Sequence, residues 1–232
     1  IAGGRVGSSA VATTEEWDGS TKTWSQNSPT TDLPSGNRSM FSGGSSTDGW
    51  TARGTAGAAT NFWDGVTWAN ASISWPGQGD TTSDSSCGSR TSALVFGGDT
   101  GPSYTNQTYY GDGLTWASKT AMLSGTRANN AGLGTALSAL SVGGARPGII
   151  NSVEEYNGTS NTWSSQAPLP VARQSAGIVG NNINDVLLFG GSTGTLDGGT
   201  LTYDGFNWSN LSPTINMNTP VGGINGFGGT DL

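Results

Sequence analysis

The chain of 232 residues contains no histidine and only one cysteine, Cys87. The lack of histidine excludes Ser-His-Asp and Cys-His catalysis, histidine-ligated zinc, and the usual general base with a pKa near neutrality. Copper radical oxidases depend on imidazole ligands and are excluded for the same reason. A lone cysteine provides neither an internal disulfide nor a thiolate metal cluster, so we expect Cys87 to be a small buried residue.

Basic residues are also scarce. The formal net charge is −7, with two lysines and seven arginines that are scattered along the sequence. Because no basic track is present to neutralise phosphates, nucleic acid is not an expected partner. The sequence has no run of about 20 apolar residues, so we expect no membrane insertion. Few lysines among many Ser, Thr, Asn and Gly residues are typical of virion-surface or extracellular proteins, and we predict that location.

Glycine, in contrast, is plentiful, with 39 residues in the chain. Glycine weakens helices, and the many Ser, Thr and Asn residues suit short strands that are joined by tight turns. The composition therefore predicts an all-β fold.

Tryptophan marks an internal repeat. Five tryptophans recur at intervals of 44, 48, 47 and 45 residues, and each follows another aromatic residue by five to seven positions. They are Trp24, Trp68, Trp116, Trp163 and Trp208. A period of about 46 residues, with a glycine turn between two aromatic strands, is typical of propeller blades. We predict a single β-propeller domain whose core is divided into layers between blades.

The best preserved repeat, residues 173–208, fits four strands. ARQSAGIVG supplies small residues to a first strand near the crowded propeller axis, and VLLF supplies a second strand that is buried on both faces. Asp204-Gly205 lies where a tight turn joins the third and fourth strands. The diglycines that end the apolar strands are Gly97-Gly98, Gly143-Gly144 and Gly190-Gly191.

Arginine precedes the small-residue strand in three repeats, at Arg38, Arg127 and Arg173. Because arginine recurs at the same position of each of these repeats, a structural role is favoured. We expect each arginine to hold its own blade by hydrogen bonds to backbone carbonyls, rather than to join the others in a single site. In the second repeat, the spacing places the counterpart of the diglycine at Gly54-Thr55 instead of Gly43-Gly44.

These features resemble kelch repeats: a small-residue strand after arginine, an apolar strand that ends in Gly-Gly, an aromatic before a turn, and a tryptophan that opens the last strand. Two variants, Glu15-Glu16-Trp17 and Glu154-Glu155-Tyr156, are each followed by a turn and a tryptophan. They look most like the kelch-like repeats in structural proteins of marine bacteriophages. The resemblance implies a kelch-type propeller and a place in a fibre or on a virion surface.

The repeats predict five four-stranded blades. They span approximately residues 1–38, 39–80, 81–127, 128–173 and 174–218, with a closing segment at 219–232. An innermost strand at 219–229 would complete the first blade, close the ring and remove exposed sheet edges. The alternative is a five-blade segment of a propeller with six or seven blades.

The acidic residues fit turns better than catalysis or metal binding. Asp18, Asp64, Asp112 and Asp204 each precede glycine, as in a tight hairpin turn, and no unit has the D-x-D-x-D pattern of a calcium loop. Within each of the two Glu-Glu pairs, we expect the neighbouring side chains to point to opposite faces of a strand, which makes a shared acid/base site a poor fit. We therefore predict no catalytic residue, no cofactor and no metal.

Loops that follow the diglycines vary most and form the candidate binding surface. They span residues 5–12, 56–61, 99–108, 145–151 and 192–200. Tyr104 and Asn106 combine a ring with amide chemistry that suits a sugar. Trp50 and Trp75 lie outside the repeating positions and are further ligand-binding candidates. Trp50 also fits a layer between blades, whereas Trp75 is the one we expect at a surface.

Three functions from different classes are consistent with these residues. The first is a non-enzymatic virion-surface or tail-fibre domain, within a larger assembly in which it could form a homo-oligomer. Its partners would be other virion proteins or a host surface glycan. The second is a secreted lectin with one shallow glycan site per blade, which requires exposed aromatics repeated on one rim. The third is a glycoside hydrolase, which requires acids clustered in the central channel.

Overall fold

The computed structural model describes residues 2–26, 31–55, 57–76, 85–99, 104–125, 127–211 and 216–223. These residues contain twenty-one β-strands and no α-helix. Within the same ranges, no helix is long and apolar enough to cross a membrane. The strands form antiparallel sheets arranged as the five blades of a β-propeller, which confirms the predicted all-β architecture.

The first two blades differ in the number of strands that the described residues provide. Blade 1 has three strands, which are β1 (Ala2–Val6), β2 (Ser9–Asp18) and β3 (Thr23–Gln26). Blade 2 has four, which are β4 (Phe41–Gly44), β5 (Gly49–Ala52), β6 (Ala59–Trp63) and β7 (Trp68–Ser74). Strand β1 carries the Gly3-Gly4 diglycine, so it corresponds to the second strand of the other blades.

The remaining three blades are four-stranded sheets. Blade 3 consists of β8 (Ser85–Ser89), β9 (Ser92–Phe96), β10 (Thr108–Gly111) and β11 (Trp116–Lys119). Blade 4 consists of β12 (Ala131–Thr135), β13 (Ser138–Val142), β16 (Val153–Asn157) and β17 (Thr162–Gln166), with a hairpin of β14 (Ala145–Arg146) and β15 (Gly148–Ile149) between its second and third strands. Blade 5 consists of β18 (Gly177–Asn182), β19 (Asp185–Phe189), β20 (Thr200–Tyr203) and β21 (Trp208–Asn210).

First strands of adjacent blades contact one another, which places them at the propeller axis. A methyl group built on Gly132 in β12 would lie 2.5 Å from the Ser85 side chain of the neighbouring first strand, β8, and 2.9 Å from the Phe96 ring. The small residues predicted for this strand are therefore required by the close approach of the blades.

The core lies in layers between blades, as predicted. Three clusters of buried side chains join blades 2 and 3, blades 3 and 4, and blades 4 and 5. Strands β9 and β13 are buried from their second residue onward, which fits burial on both faces. Strand β19 alternates instead: Val186 and Leu188 face blade 4, whereas Leu187 is only half-buried. The expectation of two buried faces is wrong for this strand.

In blades 3, 4 and 5, the tryptophan of the fourth strand binds the preceding blade. The Trp116 indole donates to Thr60 Oγ1 of blade 2 at 3.0 Å. In the same way, Trp163 donates to Thr108 Oγ1 of blade 3 at 3.0 Å. Trp208 donates to the Ala167 carbonyl of blade 4 at 3.1 Å. Contacts between blades therefore explain the tryptophans of these three blades, whereas Trp24 is exposed and Trp68 packs on Trp63 of its own blade.

The predicted closing strand, 219–229, lies mostly outside the described residues. Residues 219–223 are described, and they run as bends rather than as a strand. The Gly191 N–H donates to the Val221 carbonyl at 2.7 Å, and the Gly223 N–H donates to the Ser175 carbonyl at 3.0 Å. Equivalent bonds join blade 4 to blade 5: the Gly144 N–H donates to the Arg173 carbonyl, and the Ser175 N–H donates to the Asn129 carbonyl. Val221 therefore occupies the same position after blade 5 that Arg173 occupies after blade 4.

Candidate functional site

Strand direction assigns every connection to one of two rims. Antiparallel neighbours alternate in direction, so the hairpins between first and second strands and between third and fourth strands share one edge, called here the lower rim. The diglycines, the loops after them and the segments that enter the next blade share the other edge, the upper rim. The variable loops predicted as a binding surface all follow diglycines, so their described parts lie on the upper rim.

Each diglycine of the upper rim adopts a left-handed backbone that an ordinary side chain would strain. Gly143 and Gly144 have φ of 62° and 110°, and a methyl group on Gly143 would lie 2.2 Å from the Arg173 carbonyl oxygen. Blade 2 has Arg53 and Gly54 in these places, with φ of 61° and 99°. The predicted counterpart, Gly54-Thr55, is therefore wrong by one residue.

Backbone bonds from the diglycines connect neighbouring blades. The second residue of the pair donates its N–H to the carbonyl of the residue that opens the next blade. The pairs are Gly4 to Asn37 at 2.7 Å, Gly98 to Arg127 at 2.6 Å, and Gly144 to Arg173 at 2.8 Å. The opening residue of a blade thus belongs to the hydrogen-bond network of two blades.

The side chains of the opening residues bind their own blade, as predicted for Arg127 and Arg173. Arg127 Nη1 donates to the Gly143 carbonyl at 3.2 Å, and Arg173 Nη1 donates to the Gly190 carbonyl. In blade 2 this position is Asn37, whose Nδ2 donates to the Arg53 carbonyl at 2.6 Å. Arg38 lies one residue later, so its assignment to this position is wrong.

A buried ion pair supports the upper rim of blade 4. Arg127 Nη2 contacts Glu154 Oε1 and Ser124 Oγ, and the two charged side chains are 0% and 1% exposed. Glu154 also accepts the Leu123 N–H at 2.7 Å. Glu155 is only half-buried and accepts from Gln166 at 2.8 Å, so the two glutamates do serve opposite faces of β16. They form no shared acid/base site.

Aspartates of the lower rim are occupied by turns, as predicted. Asp112 Oδ1 accepts the N–H groups of Leu114 and Thr115 at 2.8 and 2.6 Å, and these bonds lower the pKa of that carboxyl. Asp18 bonds chiefly to the Ser20 side chain, and its pKa falls to about 2. Backbone N–H bonds likewise lower the pKa values of Asp64 and Asp204. Among the described residues, no group of three His, Cys, Asp or Glu side chains could hold a metal ion.

Two tryptophans proposed as ligand anchors are buried. Trp50 is 1% exposed and donates its indole N–H to the Gly88 carbonyl of blade 3 at 3.1 Å, so its place between blades is confirmed. Trp75 is 5% exposed and packs on Tyr109 and Trp116 with ring centroids 4.6 and 4.9 Å away. The expected surface position of Trp75 is therefore wrong.

The other two candidates lie in the loop of blade 3 that follows Gly98. Tyr104 is half-buried and pairs with Asp99 through a β-bridge. Asn106 Nδ2 donates to the Met122 carbonyl at 3.2 Å, and Asn151 makes the same bond to Leu169 in blade 4. The Asn106 bond therefore recurs in another blade and is structural. Tyr104 remains the ligand-binding candidate of this loop.

A shallow cavity of about 320 Å³, largely open to solvent, lies on the upper rim between blades 1 and 2. It is lined by Gly4, Arg5, Arg38, Ser39 and Thr55. Two of the seven arginines of the chain therefore line one cavity. The sequence repeat predicts a structural role for Arg38, and Arg5 lies within the variable loop 5–12. A second cavity, near Trp50 and Trp116, has about 10 Å³, which is room for one water molecule at most.

Among the described residues, exposed aromatics do not recur on one rim. Trp17 and Trp24 of blade 1 are 49% and 52% exposed and lie 5.5 Å apart, as the cross-strand partners in β2 and β3. The corresponding pairs of blades 4 and 5, Tyr156–Trp163 and Tyr203–Trp208, have similar spacings of 5.1 and 4.8 Å but are buried. In blade 3, the cross-strand partner of Trp116 is Gly111, so this blade has no aromatic pair at that position.

The fold is a five-bladed β-propeller. It is similar to the solved structure of YjhT, with a TM-score of 0.68 over 82% of this chain and 68% of the other, at 15% sequence identity. A likeness at that identity shows the fold alone. No family model matches the sequence, and no curated protein matches it.

Proposed function

We propose that this chain is a non-enzymatic attachment domain, presented on a virion surface or a fibre, which binds its partner through the upper rim. The observation that carries the proposal is the cavity between blades 1 and 2, lined by Arg5 and Arg38. Its walls belong to backbone that bonds between blades fix in place, and preorganised walls reduce the entropy that binding costs. Rigid blades that carry divergent loops suit attachment.

The placement on a virion rests on the sequence. The Glu-Glu-aromatic segments followed by a turn and tryptophan resemble the kelch-like repeats of marine phage structural proteins. The low lysine content and the net charge of −7 are in keeping with an exposed location. Its partners would then be other virion proteins or a host surface glycan.

A secreted lectin with one site per blade is the second candidate. Such a lectin requires exposed aromatics at equivalent positions around one rim. In the described residues, only blade 1 exposes its aromatic pair, and Phe206, at 80% exposure, lies on the lower rim of blade 5. The divergence of the upper loops therefore favours the attachment domain over the repeated lectin.

The proposal is tested by purifying the native polypeptide from its source particles and identifying the proteins that accompany it by mass spectrometry. We expect capsid, tail or fibre proteins to copurify, and antibodies against the upper loops to block adsorption to host cells. Antibodies against the lower-rim hairpins serve as the matched control. Recovery of a free polypeptide with no particle proteins would contradict the virion role and favour the lectin.

A further inference from the structure

Arginine at the two cavity positions is not a requirement of the fold. The residue that follows each diglycine is Arg5, Thr55, Asp99, Ala145 or Ser192. The residue after the opening position of a blade is Arg38, Ala128, Gln174 or Gly222 in the described blades. Small or neutral side chains serve most of these places. The fold therefore does not require the pair of arginines at the junction of blades 1 and 2.

The cavity is lined by hydrogen-bond donors and hydroxyl groups, with no carboxylate among its five residues. Within the part of the chain that the structure describes, neither Arg5 nor Arg38 forms an ion pair. Arg38 Nη1 makes one long bond of 3.5 Å to the Ser8 carbonyl, which leaves the other N–H groups of that guanidinium available. Two guanidinium groups with no acidic partner among the described residues, in a chain of net charge −7, form a local site for an anion.

Backbone bonds fix the walls of this cavity. The Gly4 N–H is held by Asn37 at 2.7 Å, and the Thr55 N–H is held by the Arg38 carbonyl at 3.1 Å. Asn37 Oδ1 accepts the Arg38 N–H at 2.9 Å. Ser39, at φ of 56°, is in the left-handed region at the edge of the cavity. The two guanidinium groups therefore extend from a rigid frame rather than from mobile loops.

We propose that the cavity binds the oxyanion of an acidic saccharide, a carboxylate or a sulfate ester, between Arg5 and Arg38. Planar guanidinium groups bind such oxyanions through paired, charge-assisted hydrogen bonds. The volume of about 320 Å³ accommodates roughly one acidic sugar unit. The saccharide assignment rests on the proposed attachment function and names the ligand class of the same rim.

The experiment measures binding of the full chain to three immobilised polymers with one backbone: dextran, carboxymethyl dextran and dextran sulfate. We expect binding to at least one anionic polymer and none to dextran, with affinity that falls as salt is added. The Arg5→Ser and Arg38→Gln variants should each weaken binding at least tenfold, and the double variant should abolish it. Because Ser192 and Gln174 occupy these places in blade 5, the substitutions suit the fold.

Arg90→Gln is the charge-matched control. Arg90 lies on the lower rim, where it pairs with Asp48 at 2.8 Å, and its loss should leave polymer binding unchanged. Preference for carboxymethyl dextran or for dextran sulfate would identify the anion. Equal binding by the double variant and the unaltered chain, or no binding of the unaltered chain to either anionic polymer, would overturn the inference. Copurification with virion proteins would still support the attachment domain in that case, so the two failures are distinguishable.

Discussion

Arg127 and Glu154 form an ion pair that has almost no contact with water. Removing one partner from such a pair leaves the other charge buried and uncompensated, whereas both together satisfy each other. Glu154 also accepts a backbone N–H of the segment that leads into blade 4. Its carboxylate therefore supports the ion pair and the loop at the same time.

We expect Glu154→Ala to lower the free energy of unfolding by about 3–5 kcal/mol, because Arg127 would remain buried without its partner. Urea denaturation, followed by tryptophan fluorescence, measures the change. Glu155→Ala is the control, since that side chain is half-buried and accepts a hydrogen bond from Gln166, and it should cost less than about 1 kcal/mol. A similar cost for both variants would contradict the structural role of the pair.

The turn aspartates predict a pH dependence of stability. Their folded pKa values lie below the unfolded value of about 4, so their contribution is complete above that pH and is lost as the pH falls through the folded pKa. For Asp18 the loss extends down to about pH 2. We expect the melting temperature to fall over this range. Replacing Asp18, Asp64, Asp112 and Asp204 together by asparagine should make the decline shallower.

Blade 4 provides the reverse control for this prediction. Asn157 occupies the turn position there, and its Oδ1 accepts the Thr159 and Ser160 N–H groups at 3.0 and 3.1 Å. Asn157→Asp should therefore steepen the acid decline, measured as melting temperature against pH by circular dichroism. The attribution to these turns fails if the fourfold asparagine variant keeps the slope of the unaltered chain.

At the scale of elements, the end of each second strand depends on a conformation that glycine adopts most easily. We expect Gly143→Ala to cost at least about 2 kcal/mol, because a left-handed alanine costs about 1–2 kcal/mol and its methyl group would also meet the Arg173 carbonyl. Gly148→Ala, in the β14–β15 hairpin, meets no atom within 4 Å and should change stability by less than about 0.5 kcal/mol. Equilibrium unfolding of both variants tests this difference.

Elements that recur could be predicted, and departures from the recurrence could not. The blade period, the diglycine ends and the roles of Arg127 and Arg173 follow from repetition in the sequence. In blade 2, Asn37 takes the role of arginine, and Arg53 takes a left-handed position normally held by glycine, so the repeat was aligned one residue too late. Trp75 has no counterpart in the repeat, so its burial depends on contacts with Tyr109 and Trp116 that only the assembled blades provide.

The candidate site was still harder to predict from the sequence. Arg5 and Arg38 are distant in sequence and meet because blade 1 lies against blade 2. A repeat pattern identifies residues that recur in every blade, and these two arginines do not recur at their positions. The signal that the sequence does contain is the exception itself: an arginine after Gly4, where the other blades have Thr, Asp, Ala or Ser.

The whole molecule can be monitored through its only cysteine. Cys87 is 8% exposed in the layer between blades 3 and 4, and burial raises its pKa to about 12. We expect the native protein to resist thiol-specific disulfide reagents at about pH 8, and to react with one equivalent once guanidinium chloride separates the blades. Ser89→Cys is the positive control, because that position is exposed in the same strand. Rapid labelling of the native chain would contradict the packing of this layer.

The aromatic pairs give the molecule an optical signature. Cross-strand rings in blades 1, 2, 4 and 5 lie with centroids 4.8 to 5.5 Å apart at fixed angles. Chromophores held so close share their electronic excitations, and the fixed angles give the coupled transitions a net handedness. The ultraviolet circular dichroism should therefore contain exciton bands that exceed the weak signal of short strands. The blade 1 pair is the most exposed of the four, so a quencher dissolved in the buffer should reduce its fluorescence first.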